Sequence, residues 1–329
     1  MKKMTVNIGV IGVGHLGPHH VKHYIKLKNT NLIGIYDLDI TRGKYIGKKF
    51  DVTFFNSLEN LIDKVDAVSI VTPTKTHAKI AEYCIKRNVH VFIEKPITTT
   101  IEESDKIIKL ADNQSIIIQV GHIERLNPGI LALQKYNLRP KFIEIQRLAP
   151  YTTRGTDVPV VLDKMIHDID ILLSIINSNV KSIQASGLSI LTDSIDIAHA
   201  RIRFENDTIA SLTSSRIAQV ELRKIKIFEK NFYATVDLLL GLTEVYKVID
   251  KTTDAPNAIQ TKQFDYKNKK TLIAYEKPEI SNTDSLQMEL SNFVQSIRGE
   301  AEPIVSGQKA KEALSVALDI QKAIIQDVH

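Results

Sequence analysis

The segment VNIGVIGVGHLG at residues 6–17 decides the fold of the chain. Val6–Ile11 is a short run rich in β-branched residues, which predicts a buried strand. It leads into the pattern Gly12-Val13-Gly14-His15-Leu16-Gly17, which opens a helical segment from about His15 to Leu27. A G-x-G-x-x-G pattern is weak alone, but between a strand and a helix it indicates a dinucleotide-binding turn.

Each glycine of this turn has its own physical reason. Gly12 allows the tight turn, Gly14 lets the backbone approach a pyrophosphate, and Gly17 permits close packing of the helix on the strand. The unpaired N–H groups at the start of the helix then face the phosphates. Asp37 ends a second strand about 20 residues further on, where an acid accepts hydrogen bonds from ribose hydroxyls. Its charge would repel a 2′-phosphate, which favours NAD, while the nearby Arg42 keeps NADP open.

Working outward, strand and helix patterns alternate over the first 120 residues, which predicts a doubly wound parallel sheet of the Rossmann type. The pattern changes after about residue 124. Successive strands with apolar–polar alternation and short connections predict an α+β domain with a large, mostly antiparallel sheet. Helices are predicted at about 162–177, 284–298 and 308–326. We expect an NAD-binding domain at residues 1–123 and a substrate-binding and oligomerisation domain at 124–329.

Composition excludes several classes of protein. The length of 329 residues favours two domains, and 43% hydrophobic with 25% charged residues is ordinary for a globular chain. Cys84 is the single cysteine, which excludes a disulfide framework and a cysteine-based zinc site and favours the reducing cytoplasm. No metal site is expected. No apolar run reaches about 20 residues, so no membrane span is expected.

The N-terminal residues and the charge distribution argue against a signal peptide and against a nucleic-acid partner. The start MKKMTVNIGV predicts a strand rather than a signal peptide. The net charge is +5, but lysines and arginines are spread along the chain without a long basic block. We therefore do not expect a nucleic-acid partner.

Two further segments carry candidate catalytic side chains. Lys95 follows the predicted strand at 89–93, and ligands of open α/β sheets bind beyond the carboxyl ends of strands. The helix around VLDKMIHDID (161–170) places Asp163, His167, Asp170 and Ser174 on one face, opposite an apolar face. This periodicity predicts a helix that presents an acid–imidazole–acid stripe, in which histidine can act as a general base. A solvated helix face with a chance histidine is the alternative.

Taken together, these residues resemble the Gfo/Idh/MocA oxidoreductase family. The resemblance rests on GVIGVGHLG at 9–17, YDLD at 36–39, VTPTKTH at 71–77, EKP at 94–96 and the Asp163–His167 helix. It implies that Lys95, Asp163 and His167 form the catalytic group around the nicotinamide and the reacting carbinol. It also implies a cofactor site that contains the glycine turn with His15 and Leu16, Asp37, Thr72, Pro73, His77, Glu94 and Lys95.

A narrower resemblance rests on VGHIERLNPG (120–129), VVLDKMIHDIDILL (160–173) and the stretch 196–215. These segments are similar to the branch that oxidises carbon 3 of UDP-N-acetylglucosamine ahead of an aminotransferase, on the way to amide-linked lipid A. Leu126 and Lys164 depart from the pattern of that branch, but neither change removes a polar group. The resemblance implies NAD-dependent oxidation of the C3 hydroxyl of a UDP-N-acetylhexosamine to the 3-keto sugar.

Four side chains near these motifs are candidate binders of sugar or diphosphate, in addition to Asp163 and His167. They are Arg125, Asn127, Arg147 and Arg154. The alternatives are a family dehydrogenase for another sugar or a polyol such as inositol, a non-catalytic NAD-sensing regulator, and an imine or enamine reductase. The predicted antiparallel sheet, with one face free, favours a homodimer or homotetramer.

Overall fold

The structure is a computed structural model that describes residues 5–152, 158–249, 258–266, 269–280 and 283–327. Contacts within it define two compact units. The first contains the chain up to Ile123 together with Thr283–Ser315, and the second contains Glu124–Asn282 together with the chain from Val316. The division into folding domains at residues 123 and 124 stays a prediction.

The first unit alternates strands with helices. Its elements are β1 (Val6–Ile11), α1 (Gly17–Tyr24), β2 (Thr30–Tyr36), α2 (Ile40–Phe50), α3 (Leu58–Ile62), β3 (Ala67–Ile70), α4 (His77–Ile85), β4 (His90–Glu94), α5 (Ile101–Asn113) and β5 (Ile118–Gly121). Among the described residues, these five strands form one parallel sheet in the order β2-β1-β3-β4-β5. The predicted Rossmann architecture is therefore confirmed.

The core of this unit explains why its strands are nearly continuous apolar runs. Helices cover a parallel sheet on both faces, so β1, β3 and β4 bury almost every side chain. The core cluster joins Val10 and Phe92 of the sheet to Leu290 and Phe293. The last two residues belong to α8 (Ser285–Ile297), a helix from the C-terminal part of the chain that packs into this core.

The second unit is built around one large sheet. Its elements are α6 (Pro128–Leu131), β6 (Phe142–Leu148), α7 (Ile166–Ile175), β7 (Val180–Leu188), β8 (Ile197–Phe204), β9 (Ile209–Ser215), β10 (Leu222–Glu229), β11 (Phe232–Asp237), β12 (Leu242–Ile249), β13 (Gln260–Tyr266) and β14 (Lys269–Glu276). The last helix, α9, spans Gly307–Asp327, and only its part from Val316 onward belongs to this unit. In the described ranges the strand order is β13-β14-β12-β11-β10-β6-β9-β8-β7.

Neighbouring strands of this sheet are antiparallel except β6 and β9, which pair in parallel. Burial alternates along the strands, as in β8 and β9, so one face packs on the core and the other does not. The predicted large, mostly antiparallel sheet is confirmed. Strands β12, β14 and β13 continue the sheet beyond β11.

Candidate active site

The carboxyl ends of the parallel strands gather the predicted cofactor residues at one edge of the first sheet. Ile11 of β1 is in register with Tyr36 of β2 and Ile70 of β3, which is in register with Ile93 of β4. The residues that follow these four positions therefore emerge side by side. They are Gly12, Asp37, Val71 with Thr72, and Glu94 with Lys95.

A cleft of about 530 Å³ opens at this edge. Its lining residues are Ile11, Gly12, Gly14, Tyr36, Asp37, Leu38, Leu58, Val71, Thr72, Pro73, Thr76, Lys79, Ile80 and Tyr83. The predicted residues Gly12, Gly14, Asp37, Thr72 and Pro73 thus share one cavity. Sequence reasoning missed the wall formed by Thr76 and helix α4. Its side chains recur at the three- and four-residue spacing of a helix face, a signal that was present in the sequence.

The three glycines of the turn differ in what surrounds them. Gly12 has φ of +88°, and a Cβ there would lie 2.7 Å from the carbonyl oxygen of Val71. A Cβ at Gly17, the first residue of α1, would lie 2.1 Å from the carbonyl oxygen of Gly12. A Cβ at Gly14 would meet no protein atom within 4 Å. The side of Gly14 that lacks a Cβ thus faces open space at the cleft, which fits the close approach of a dinucleotide pyrophosphate.

His15 and Leu16, the remaining residues of the turn, are exposed. Leu16 stands at the N-cap of α1, so both residues lie where the helix begins. Free N–H groups at a helix start attract phosphate oxygens.

Asp37 and Arg42 both bind the backbone of the glycine turn. The carboxylate of Asp37 accepts hydrogen bonds from the N–H groups of Val13 at 2.7 Å and Asp39 at 2.8 Å. The Arg42 guanidinium donates through Nε to the carbonyl of Val13 and through Nη2 to that of Gly14. Two of the arginine's donors are therefore engaged by the turn, and Asp37 places negative charge in the cleft. This arrangement favours NAD over a cofactor with a 2′-phosphate.

His77 connects two of the loops at this edge. It is buried at the start of α4, with Nδ1 2.9 Å from the carbonyl oxygen of Pro96 and Nε2 2.7 Å from that of Thr72. Burial lowers the pKa of His77, and its two backbone hydrogen bonds offset this only in part. His77 therefore holds the loops of Thr72 and Pro96 from a buried position, and its contact with the cofactor stays a prediction.

Glu94 supports the strand end that carries Lys95. Its carboxylate lies 3.0 Å from Nε2 of the buried His20 on α1 and 3.3 Å from the N–H of Lys95. Burial acts to raise the pKa of Glu94, but His20 and Lys95 outweigh it and the pKa is lowered. The ionised carboxylate thus links helix α1 to the loop of the candidate catalytic lysine, whose own side chain is half-buried.

The other candidate catalytic residues belong to the second unit. Asp163 lies in a π-helical turn, Val161–Met165, that runs directly into α7, and His167 lies in the first turn of α7. Both side chains are half-buried. A π-turn adds a residue to the helical repeat and is frequent at functional sites. The constant 100° spacing assumed from the sequence therefore does not hold through Asp163.

The structure departs from the predicted acid–imidazole–acid stripe of this helix at Asp170. Asp170, expected on the presented face with His167, is 1% exposed and binds Arg125 through two hydrogen bonds of 2.6 and 2.8 Å. Asp168 is equally buried and binds Arg147. Helical periodicity assigns charged residues to solvent, but here arginines distant in sequence neutralise both carboxylates inside the unit. Ser174 is exposed, as expected.

Three of the four predicted substrate binders lie in the described part of the chain. Arg125 and Arg147 form the pairs just described. The Asn127 side chain caps α6 by accepting from Gly129 N–H, and its amide donates to Glu124 and to the carbonyl of Leu238. Arg154 lies outside the described residues. Their contact with substrate stays a prediction.

The described ranges hold neither a candidate metal site nor a candidate membrane span. They contain no cluster of three or more His, Cys, Asp or Glu side chains able to hold a metal ion. They also contain no helix long and apolar enough to cross a membrane.

Comparison with known proteins identifies the family of the chain. Residues 6–122 match the oxidoreductase family with an NAD-binding Rossmann fold, and residues 139–230 match the GFO/IDH/MocA C-terminal domain. The chain belongs to the Gfo/Idh/MocA family. It is accordingly an NAD-binding oxidoreductase of the dehydrogenase type.

Relatives within the Gfo/Idh/MocA family differ in how similar their sequences are to this chain. The UDP-N-acetylglucosamine 3-dehydrogenase of Acidithiobacillus ferrooxidans is 32% identical over 96% of both chains. A solved structure of that enzyme has a TM-score of 0.87 and covers 97% of each chain. The myo-inositol 2-dehydrogenase of Thermotoga maritima is 24% identical over 97% of this chain and 96% of its own.

Proposed function

We propose that the chain uses NAD to oxidise the C3 hydroxyl of a UDP-N-acetylhexosamine to the 3-keto sugar. The preferred substrate in this proposal is UDP-N-acetylglucosamine. One observation carries the proposal. The relative that acts on UDP-N-acetylglucosamine is 32% identical over 96% of both chains, so the similarity extends through both units. The inositol relative of similar coverage is 24% identical.

The cleft of the first unit fits the cofactor. Gly14 leaves room for a pyrophosphate, Gly12 and Gly17 permit the tight turn and the close packing behind it, and Asp37 is placed for the ribose hydroxyls. Oxidation of a carbinol removes a hydride from carbon and a proton from the hydroxyl oxygen. When bound, NAD supplies the hydride acceptor. The residues of the chain have to position the sugar and take up the proton.

Three side chains are assigned to that task. His167 accepts the hydroxyl proton as general base, and Lys95 donates a hydrogen bond to the oxygen and stabilises negative charge as it develops. Asp163 holds the sugar or His167. Because His167 and Asp163 are half-buried rather than fully exposed, water competes less with the substrate for them. A direct role of Arg125, Asn127 or Arg147 in binding the diphosphate belongs to the same proposal.

The product also fits a place in a reaction sequence. A 3-keto sugar nucleotide is a substrate for transamination, and the resulting 2,3-diamino sugar provides the nitrogen of amide-linked lipid A. We place this reaction in the cytoplasm. The buried, unpaired Cys84 supports a reducing compartment.

The experiment measures NADH formation by absorbance with the purified protein and NAD. The substrates are UDP-N-acetylglucosamine, UDP-N-acetylgalactosamine, free N-acetylglucosamine and myo-inositol, each with and without hydroxylamine to trap a ketone. Turnover confined to the UDP-sugars supports the proposal. Turnover with free polyols instead supports a polyol dehydrogenase, the second candidate. NAD binding without turnover on any substrate supports the NAD-sensing regulator.

A variant pair tests the assigned chemistry. Lys95→Met removes the donor to the reacting oxygen, so kcat should fall at least a hundredfold while the NAD affinity stays within a few-fold. Lys64→Met, at an exposed lysine, serves as the matched control and should retain full activity. Near wild-type turnover of Lys95→Met with intact NAD binding would refute the mechanism.

The proposal includes self-association through the second sheet. Five aromatic side chains run in register across its exposed face, one from each of five neighbouring strands. They are Phe142, Phe228, Tyr233, Tyr246 and Tyr275. Phe142 and Phe228 are each 37% exposed, and a second copy of the chain would cover this aromatic surface. Light scattering should give the mass of a dimer or tetramer, and Tyr233→Arg should shift it to the monomer.

A further inference from the structure

Two buried carboxylates flank the candidate base on helix α7. Asp168 follows His167 directly, and Asp170 comes three residues after His167. An α-helix turns by about 100° per residue, so one carboxylate lies about 100° to one side of His167 and the other about 60° to the other side. Each aspartate is 1% exposed. The histidine therefore projects between two fixed points of its own helix.

Each carboxylate is held by an arginine from another element of the same unit. Arg125 donates to Asp170 through Nε and Nη2, a two-point contact. Arg147 donates to Asp168 through Nε at 2.9 Å and Nη2 at 2.7 Å. Its remaining nitrogen, Nη1, donates to Glu124 at 2.9 Å.

The second pair is anchored in the large sheet. Arg147 lies in β6 and is in register with Arg223 of β10, which also donates to Glu124 at 3.2 Å. Burial disfavours the charge of Arg147, but the carboxylates of Asp168 and Glu124 outweigh it and raise the pKa of the guanidinium. The arginine therefore stays charged, and α7 is attached to strands that are themselves hydrogen-bonded on both sides.

Stability alone does not account for this arrangement. Apolar residues of similar volume often stabilise a fold as well as a buried ion pair does, because removing two charges from water costs free energy. What the pairs add is direction, since a guanidinium that binds a carboxylate at two points fixes distance and angle together. A helix held this way on two sides resists rotation about its axis.

We propose that the pairs Arg125–Asp170 and Arg147–Asp168 are positioning residues for His167. They fix the rotation of α7 and thereby the direction from which the imidazole meets the substrate hydroxyl. This inference rests on the proposed function of His167. It assigns Arg125 and Arg147 a positioning role in addition to the contact with substrate that the sequence predicts.

The test replaces one pair without leaving a lone buried charge. Arg125→Met combined with Asp170→Leu exchanges the ion pair for apolar side chains, whereas Arg125→Lys keeps the charge but loses the two-point contact. The control exchanges a pair remote from α7, Lys247→Met with Glu276→Gln, whose nitrogen and oxygen lie 2.8 Å apart between β12 and β14. We expect kcat with UDP-N-acetylglucosamine to fall at least tenfold in the Arg125 variants and to stay unchanged in the control. The KM for NAD should change by less than twofold in all three.

A second readout does not depend on turnover. In protein labelled with ¹³C at the histidine Cε1, the His167 resonance is assigned by its loss in His167→Gln. Positioning predicts that the Arg125 variants shift this resonance and its titration midpoint, and that the control does not. Unchanged kcat and an unchanged resonance after loss of the pair would overturn the proposal. If wild-type protein oxidises none of the substrates, the proposed function fails and the resonance alone decides on positioning. If the double variant does not fold, Arg125→Lys carries the same test.

Discussion

The Nδ1 atom of His77 lies 2.9 Å from the carbonyl oxygen of Pro96, the residue after the candidate catalytic lysine. The Nε2 atom of the same ring lies 2.7 Å from the carbonyl oxygen of Thr72, which lines the cofactor cleft. Burial lowers the pKa of His77, and the hydrogen bonds to both carbonyls offset this only in part. One side chain thus controls the spacing of two loops.

Loss of this connection should weaken cofactor binding. His77→Asn shortens the side chain, so it cannot reach both carbonyls, and we expect the dissociation constant of NADH to rise roughly tenfold, about 1.4 kcal/mol. Titration of NADH fluorescence measures it. His199→Asn, at an exposed histidine of β8, is the control and should bind as wild type does. An unchanged dissociation constant for His77→Asn would show that the loops hold their spacing without the imidazole.

Two glycines of the same turn should respond in opposite ways to alanine. At Gly14 the added methyl group meets no protein atom within 4 Å, so the melting temperature should stay within about 2 °C while NADH affinity falls at least tenfold. At Gly17 the methyl group would lie 2.1 Å from the carbonyl oxygen of Gly12. Gly17→Ala should therefore lower the free energy of unfolding by roughly 3 kcal/mol, and the variant should unfold at a clearly lower temperature. Thermal denaturation and NADH titration of both variants separate the two effects, and equal melting temperatures would contradict this reading of the turn.

Cofactor preference should depend on Asp37. Its carboxylate contributes the negative charge of the cleft beside Arg42, so Asp37→Ser should raise the NADP-to-NAD ratio of kcat/KM at least tenfold. Initial rates with each cofactor give the ratio. Asp63→Asn removes an exposed carboxylate of the same unit and controls for net charge. A ratio that moves equally in both variants would assign the preference to overall charge rather than to Asp37.

Acid stability should depend on Asp196 in the second unit. Its carboxylate accepts hydrogen bonds from the N–H groups of Ile190, Leu191 and Thr192 and from the Thr192 hydroxyl. Burial opposes the charge, but these bonds outweigh it and lower the pKa of Asp196 to about 2. A carboxyl with a lowered folded-state pKa contributes stability above its unfolded pKa of about 4 and loses it as the pH falls toward 2.

Asp196→Asn makes that contribution measurable. The variant should be less stable by roughly 2 kcal/mol at neutral pH, because hydrogen bonds to a charged acceptor are lost. The difference from wild type should shrink between about pH 4 and pH 2. Urea unfolding followed by circular dichroism at several pH values gives both numbers. A difference that is constant over this range would mean that the ionisation of Asp196 does not stabilise the fold.

The cofactor half of the site could be predicted from sequence because its signals are local. Gly12, Gly14 and Gly17 lie within one turn, and Asp37 and Lys95 are placed by the ends of recognisable strands. Helix α2 is hard to predict from sequence because two of its residues are glycines, which lower its helix propensity. The structure explains them by packing, since a Cβ at Gly43 would lie 2.1 Å from the Phe54 ring and one at Gly47 would lie 2.8 Å from the carbonyl oxygen of Val52.

The surroundings of His167 could not be predicted in the same way. Asp168 and Asp170 look like ordinary solvated residues of an amphipathic helix, and no arginine lies within ten positions of either in the sequence. Their partners, Arg125 and Arg147, are brought to them only by the tertiary fold. A buried ion pair between distant positions leaves no periodic pattern in a single sequence.

The parallel pairing of β6 with β9 also sets an order for folding. Ile209 pairs with Phe142, so the chain between them, which includes α7, forms a loop that closes only when the two strands meet. Contacts so far apart in sequence form slowly, because the entropy of loop closure is lost before pairing compensates it. Strands β10, β11 and β12 are joined by short turns and can assemble earlier. The helix that carries the candidate base is therefore expected to reach its native position late in folding.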